Sequence, residues 1–192
     1  MVVSGNQIES SQKLVGALVN ASWQDERVVV VDPTSQMKML TGAPHLNQTN
    51  DVHELCHHAS RLKAQHLVFN GICGTEILPV LKAANRVKGG AIIIVHSYNA
   101  GLTFELLCGG LALTTPGNLD DSTAYLKRHL DVIAHLEVDA KDVECVQEVV
   151  DIDSDQRTVF SVNNDAVSSK TPPSWLSQAV SDGFEVDLAL FQ

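Results

Sequence analysis

The sequence has no long apolar run, no closely paired cysteines and few aromatic residues. Only 5% of its 192 residues are aromatic, and no apolar stretch approaches the ~20 residues that a membrane-spanning helix needs. The first five residues carry no basic flank and no long apolar stretch, so they do not resemble a signal peptide. The four cysteines are Cys56, Cys73, Cys108 and Cys145. None of them forms a C-x-x-C pair, so they indicate neither a zinc knuckle nor a disulfide framework. These absences predict a reduced, cytoplasmic location.

Positive charge is also scarce. Lysine and arginine number 13 against 23 aspartates and glutamates, a net charge of −10, which argues against a nucleic-acid partner. Residues 1–136 hold 11 acidic and 10 basic side chains, whereas residues 137–192 hold 12 and 3. The acidic part is either a solvated surface or a docking surface for a basic partner. The hydrophobic content of 44% is sufficient for a packed core.

Short β-branched runs alternate with helical patterns along the chain. This alternation predicts an α/β fold with a mainly parallel sheet, helices on both faces and an antiparallel hairpin near the C-terminus. The predicted strands span 2–4, 27–31, 66–70, 91–96 and 132–136, and the hairpin spans 143–152 and 158–162. The predicted helices span 10–21, capped by Ser10 or Ser11, and 51–63, 76–86, 100–113 and 122–130, with an exposed loop at 34–50. We predict an α/β domain over 1–162, and a linker and C-terminal segment over 163–192 that packs back on it.

The loop after the first strand has the place and length of the phosphate-binding pattern G-x-x-x-x-G-K-[ST], beginning at Gly5. The second glycine is replaced by Ser10, the lysine by Ser11 and the hydroxyl that holds magnesium by Gln12. Each lost charge-assisted hydrogen bond is worth roughly 1.5–3 kcal/mol, and Glu9 adds repulsion toward phosphate. We therefore expect weak or absent binding of ATP and Mg²⁺. An ordinary strand–turn–helix is the alternative interpretation of the loop, and the helix start retains amides that favour anions.

Five short motifs follow this loop in order. They read VVDPT at 30–34, RLK at 61–63, NGICGTE at 70–76, VHSYNAGL at 95–102 and DVIAHL at 131–136. Their order and spacing, from residue 2 to about 162, resemble the traffic ATPases of type II and type IV secretion, especially the conjugal-transfer ATPases. The resemblance implies a RecA-like P-loop NTPase fold. It also implies a motor domain only, because the family's N-terminal, substrate-facing domain is expected to be absent.

The same resemblance implies a degenerate nucleotide site. It assigns the acid after the second strand to Asp32, and it places Gly71, which has no side chain, where the family has its water-positioning glutamate. His96 occupies the position of the family histidine, with a capped structural histidine as the alternative. Arg61 and Lys63 are candidate ring-interface cations. The alternative is that they are simply the basic end of a helix, where they favour its dipole. Loss of cation, metal ligand and glutamate together predicts a protein that is not an enzyme and has no cofactor or metal.

The predicted function is therefore that of a catalytically inactive secretion- or conjugation-ATPase-like protein. It would bind a protein partner, such as a secretion ATPase or a coupling protein, and would regulate or inhibit the machine. The alternative is a weak ATP-binding ATPase subunit of a type IV secretion or conjugation system, for which Gly5, Asp32 and His96 stand in register. The sequence does not fix the oligomeric state.

Two further interpretations compete with this prediction. Residues 70–76 share a pattern with the Q-A-C-x-G segment of caspase-type cysteine proteases, but the required histidine about 50 residues upstream is missing, so Cys73 is expected to be a buried, inert thiol. Four histidines cluster around one helix, namely His53, His57, His58 and His66. They could include a metal-binding pair, but a solvated helix face is the favoured interpretation.

Overall fold

A mainly parallel sheet organises the chain. The structure is a computed structural model that describes residues 1–181 apart from 39, 41, 116, 140, 153–156, 164–165, 168–172 and 175. The strands are β1 (Val2–Gly5), β2 (Val28–Val31), β3 (His45–Leu46), β4 (His66–Phe69), β5 (Ala91–His96), β6 (Val132–Val138), β7 (Glu144–Asp151), β8 (Arg157–Asn163) and β9 (Ala166–Val167). Their spatial order is β3-β2-β4-β5-β1-β6-β7-β8-β9. In this spatial order the first six strands, which end at β6, run parallel. The strands β7, β8 and β9 follow in antiparallel pairs.

Helices cover both faces of the sheet. They are α1 (Ile8–Ser22), α2 (Val52–Arg61), α3 (Ile77–Ala84), α4 (Ala100–Thr114), α5 (Leu119–His129) and α6 (Leu176–Ser181), with a 3-10 turn at Gly74–Glu76. The β2 run alternates between two cores, because Val28 and Val30 pack with α1 while Val29 and Val31 pack with α2 to α5. The predicted fold class, including the antiparallel hairpin β7–β8, is confirmed.

The start of α1 differs from the prediction. The helix begins at Ile8, and its N-cap is Gln7, so Ser10 and Ser11 are buried residues of the first turns rather than caps. Ile8 packs against the core beneath α1, and this burial stabilises the additional half-turn. The structure therefore corrects the predicted cap.

The segment 34–50 is not wholly an exposed loop. It contains β3, whose His45 pairs with Val30, and it buries Met37 and Leu40 against the core beneath α1. At α5 the helix starts at Leu119 rather than at residue 122, because the side chain of Asn118 accepts a hydrogen bond from the backbone of Asp121 at 2.9 Å.

The C-terminal region is described only in part. Leu176 is buried, and the backbone and hydroxyl of Ser174 donate to Asp151 at 2.6 and 2.9 Å. Residues 182–192 and much of 163–175 lie outside the described residues, so the domain division at residue 162 stays a prediction. Within the part of the chain described, no helix is both long and apolar enough to cross a bilayer.

Candidate functional site

The turn between β1 and α1 is short. Only Asn6 and Gln7 separate Gly5, the last residue of β1, from Ile8, the first residue of α1. In G-x-x-x-x-G-K-[ST] four residues separate the glycines, and here the last two of those four positions are already helical. A Cβ at Gly5 would lie 2.8 Å from Ser11 Oγ, so the helix starts in close contact with the strand. The loop that would wrap around phosphate is thus replaced by the first turn of α1.

Some polar groups beside this turn are left unsatisfied. Ser11 Oγ and Asn6 Oδ1 are buried without a hydrogen-bond partner among the described residues. The Gln7 side chain makes no capping hydrogen bond to α1 within that same part of the chain. The helix start therefore keeps N–H groups and a positive dipole end that favour an anion.

A buried polar network joins α1 to the neighbouring strand ends. Gln12, which stands where the phosphate-loop pattern has its metal-holding hydroxyl, donates from Nε2 to Asn70 Oδ1 at 3.1 Å. Asn70 donates from Nδ2 to Asp32 Oδ1 at 2.9 Å. Thr34 Oγ1 donates to the same oxygen, and the Met37 N–H donates to Asp32 Oδ2, both at 2.7 Å. Both carboxylate oxygens of Asp32 are thus occupied by groups of the chain itself.

Asp32 remains an anion in this network. Burial tends to raise the pKa of its carboxyl, but the hydrogen bonds from Asn70, Met37 and Thr34 outweigh burial and lower the pKa below its usual 3.8. The residue is only 1% exposed. A buried negative charge therefore stands at the carboxyl edge of the sheet, where ligands of parallel α/β folds bind.

Gly71 lies beside this network with a left-handed backbone, at φ +69°. A Cβ on Gly71 would lie 3.4 Å from Thr34 Cγ2 and 3.8 Å from Ile8 Cδ1. Both are ordinary van der Waals distances, so the constraint at position 71 comes from its backbone and not from its neighbours. The backbone conformation is one that glycine adopts without strain.

Ser10 turns away from Gln12 and toward the hairpin. Its hydroxyl donates to Glu144 Oε1 of β7 at 3.1 Å, and Lys13 forms an ion pair with the same oxygen. The hydrogen bond from Lys13, aided by Ser10, lowers the pKa of Glu144. The first cation of α1 is thus bound to β7.

The remaining predicted site residues are divided between the two edges of the sheet. His96 ends β5 and pairs with Gly5 of β1, so it lies at the carboxyl edge, with its exposed ring edge-on to Tyr98 at a centroid separation of 5.7 Å. Arg61 ends α2 and Lys63 follows it, where the chain approaches β4, so both lie at the amino edge, opposite Asp32. The structure thus brings His96 to the edge that holds Gly5 and Asp32 and leaves Arg61 and Lys63 away from it.

Comparison with solved structures identifies the fold; no protein-family model and no curated protein matches the chain. The VirB11 ATPase of the Brucella suis type IV secretion system, in complex with sulphate, aligns with a TM-score of 0.68 and 20% identity over 78% of this chain and 48% of that one. The ATPase DotB of Legionella pneumophila aligns at 0.58 and 12%, covering 80% and 46%, and that of Yersinia pseudotuberculosis at 0.61 and 10%, covering 80% and 43%.

This chain has the fold of the secretion traffic ATPases. At these identities the likeness establishes the fold alone, and it confirms the fold that the sequence motifs imply. The chain spans about half the length of the VirB11 and DotB structures, at 48%, 46% and 43% of them.

Asn70 is the residue of the candidate site that sequence reasoning missed. It lies within one of the motifs that resemble the secretion ATPases. However, it links Gln12, which is 58 residues away in the sequence, to Asp32, which is 38 residues away. The signal for it is a polar residue that directly ends the apolar strand β4. Such a residue at the carboxyl edge of a parallel sheet is placed to face a ligand or a neighbouring strand end.

A second buried pair, Ser4 and His135, was also missed. Ser4 Oγ lies 3.0 Å from His135 Nδ1, while His135 Nε2 lies 3.7 Å from Glu137 Oε1. Burial lowers the pKa of His135, against the raising effects of Glu137, Glu148 and a hydrogen bond with the backbone of Tyr98. Ser4 is fully buried, so the pair is a link between β1 and β6 and not an accessible nucleophile.

The structure bears separately on the cysteine-protease and metal-site interpretations. Cys73 is exposed, which corrects the expected burial, because it precedes the 3-10 turn at the surface. Desolvation and the charge of Glu76 raise the pKa of its thiol, the opposite of what an activated nucleophile requires. Within the described residues, no group of three or more histidine, cysteine, aspartate or glutamate side chains is placed to hold a metal ion.

Proposed function

We propose that the chain is a catalytically inactive protein with a secretion-ATPase fold, and that it regulates or inhibits a secretion or conjugation machine by binding one of its proteins. The observation that carries the proposal is the Gln12–Asn70–Asp32 network, in which the chain's own side chains satisfy the groups that would meet phosphate and metal. Gln12 stands in place of the metal-holding hydroxyl, and both oxygens of Asp32 already accept hydrogen bonds from the chain itself.

Charge at the same edge also supports inactivity. Residues 5–12 contain no lysine or arginine, and Lys13 is held by Glu144. A triphosphate would meet the ionised Asp32 and the first-turn Glu9 without a compensating cation. Removal of the groups that stabilise phosphoryl transfer typically costs several kcal/mol of transition-state stabilisation for each group.

A calorimetric titration with ATP and MgCl₂ tests inactivity, together with a phosphate-release assay. We expect no saturable binding at millimolar ATP and no release above the buffer rate. Saturable binding tighter than about 10 μM, which corresponds to roughly −7 kcal/mol, would overturn the proposal if Asp32→Asn abolished it.

A restoring variant tests whether geometry or residue identity is limiting. Ser11→Lys combined with Gln12→Thr supplies the missing cation and hydroxyl, with Ser11→Ala combined with Gln12→Ala as its control. We expect neither variant to bind ATP, because the helix already begins at Ile8. Binding by the first variant alone would contradict the argument from geometry.

A weak ATP-binding subunit is the second candidate, and one observation favours it. The start of α1 lacks a side-chain cap among the described residues, and Ser11 Oγ is buried beside it without a partner there. An anion at this helix start would accept hydrogen bonds from its free backbone N–H groups and from the Ser11 hydroxyl. The ATP titration decides between the two candidates, because only the second predicts saturation.

The regulatory role is tested with the secretion or transfer ATPases and coupling proteins of a candidate host system. Purified chain is mixed with each of them at micromolar concentration and the mixtures are separated by size-exclusion chromatography. We expect a stable complex with one of them and a change in that machine's ATPase rate. Absence of any complex at about 10 μM would contradict the role.

A further inference from the structure

Cations collect at the amino edge of the parallel sheet. The helices α2, α3 and α5 all end there, each before a strand begins. We call this set the cation rim, and its members are Arg61, Lys63, Lys82, Arg86, Lys88 and Arg128. The acidic residues at the same edge are few, and two of them have partners, because Glu26 binds His66 and Asp151 binds Ser174.

The rim cations are uncompensated. Across the described ranges of the chain, none of the six forms an ion pair or a side-chain hydrogen bond, whereas Lys13 is paired with Glu144. Cations at a helix C-terminus interact favourably with its dipole, by typically 0.3–1 kcal/mol, which accounts for Arg61 and Lys82. Lys63 and Lys88 lie beyond the helix ends, so the dipoles do not explain them.

A cleft between α2 and α3 borders the rim. Its walls are two facing rows, His53 and His57 on α2 and Lys82 and Arg86 at the end of α3, each row spaced by one helical turn. Its floor includes the buried residues Cys56 and Ala83. The cavity of about 110 Å³ has room for a single side chain.

A second cavity extends the surface on the other side of α3. It measures about 330 Å³, and Lys88, Arg128, His129 and Asp131 are among the residues that line it. The two cavities share the C-terminal half of α3 as their common wall. The cation rim and the α2–α3 cleft are thus one continuous surface.

We propose that this surface binds an acidic segment of a partner protein, with one acidic side chain in the cleft, its carboxylate between the two rows and its methylene groups against the floor. The inference rests on the proposed function and names the surface through which it would act. Charge complementarity carries it, because uncompensated cations stand out in a chain of net charge −10. A nucleic acid is a poorer occupant, because the cleft has room for a single side chain and not for a base.

Fluorescence anisotropy with the full chain tests the proposal. The probe is a fluorescein-labelled peptide of alternating glutamate and leucine, compared with a lysine–leucine peptide of the same length. We expect saturable binding of the acidic probe alone, weakened about tenfold or more by Lys82→Glu combined with Arg86→Glu. The matched control combines Lys38→Glu with Lys141→Glu, which changes the net charge equally at exposed positions away from the cleft.

Each outcome decides the proposal. No binding, or equal weakening by both double variants, overturns it. Self-association of the chain that disappears in the Lys82/Arg86 variant also overturns it, because a second copy would then be the occupant. Urea midpoints of both variants serve to confirm folding, since all four side chains are exposed.

The proposed function fails separately. If the Lys82/Arg86 variant still forms a complex with a secretion ATPase, the surface is wrong while the regulatory role stands. If the acidic probe binds but no complex forms with any component of the machine, the surface stands and the regulatory role fails.

Discussion

The two edges of the parallel sheet satisfy their polar side chains in opposite ways. At the carboxyl edge, Gln12, Asn70 and Asp32 are buried and hydrogen-bonded to one another. At the amino edge, the cation rim is exposed and, among the described residues, unpaired. At the edge where α/β folds bind ligands, the side chains of this network are thus bonded to one another, and the opposite edge carries the free charge. The difference is consistent with the proposed docking of a partner at the amino edge.

The largest expected effect concerns the loop that follows β4 at the carboxyl edge. A Cβ at Gly110 would lie 1.9 Å from the carbonyl oxygen of Gly74, so Gly110→Ala must separate α4 from the 3-10 turn. We expect a loss of about 3 kcal/mol or more in the free energy of unfolding, measured by urea titration. Gly109→Ala is the control, because among the described residues no atom outside its own stretch of α4 lies within 4 Å of its Cβ position, and we expect it to be neutral or stabilising by about 0.5–1 kcal/mol. Equal effects of the two variants would contradict the close packing.

The next effect compares one residue from each edge. Asn70→Ala leaves Gln12 and Asp32 buried without their shared partner, and we expect it to lower the free energy of unfolding by about 2–3 kcal/mol. Arg86→Ala, at the exposed amino edge, is expected to change it by less than about 0.5 kcal/mol. Urea titrations of both variants measure the contrast. Comparable losses would show that the rim contributes to folding and would remove the distinction between the edges.

The third effect is a pH dependence. Because burial lowers the pKa of His135 below 6.5 in the folded state, the unfolded chain binds more protons there. Stability therefore falls as pH drops below 6.5, by at most about 1.4 kcal/mol per pH unit from this group, and Asp32 adds a fall below pH 3.8. His135→Gln is expected to remove the first fall and keep the second. An unchanged profile between pH 6.5 and 5, relative to the parent, would assign that fall to another group.

The smallest effect separates two adjacent serines of α1. Ser11→Ala removes a buried hydroxyl that has no partner among the described residues, and we expect it to stabilise the fold by up to about 1 kcal/mol. Ser10→Ala removes a hydrogen bond to Glu144, and we expect a loss of about 1 kcal/mol. Thermal unfolding of the two variants gives the sign of each change. Destabilisation by Ser11→Ala would mean that its hydroxyl has a role that the structure does not reveal.

The sequence predicts the main strands because burial on both faces imposes a local signature. Residues 28–31 and 91–96 are β-branched almost throughout, and no helix of an ordinary domain needs such a run. The strand β3 has no such signature, since its two residues exist as a strand only through pairing with β2. The start of α1 was mispredicted for a similar reason, because Ile8 extends the helix by packing on the core.

The candidate site is predictable only as a set of positions. The ends of β1 and β2 locate Gly5 and Asp32, because parallel strands end at one edge. The partner of Gln12 is not readable from the chain, since Asn70 lies 58 residues away and meets it only through the sheet. Arg61 lies at the opposite edge because α2 runs from the carboxyl edge to the amino edge of the sheet. The predicted helix implies this direction, whereas the motif that contains Arg61 does not.

The conformation of residue 71 limits which residues the position accepts. Replacing Gly71 with glutamate would force an L-residue into the left-handed region, a strain of roughly 1–2 kcal/mol, and would set its Cβ in contact with Thr34 and Ile8. A carboxylate introduced at position 71 therefore lowers the stability of the fold, because the backbone of this turn depends on the absence of a side chain.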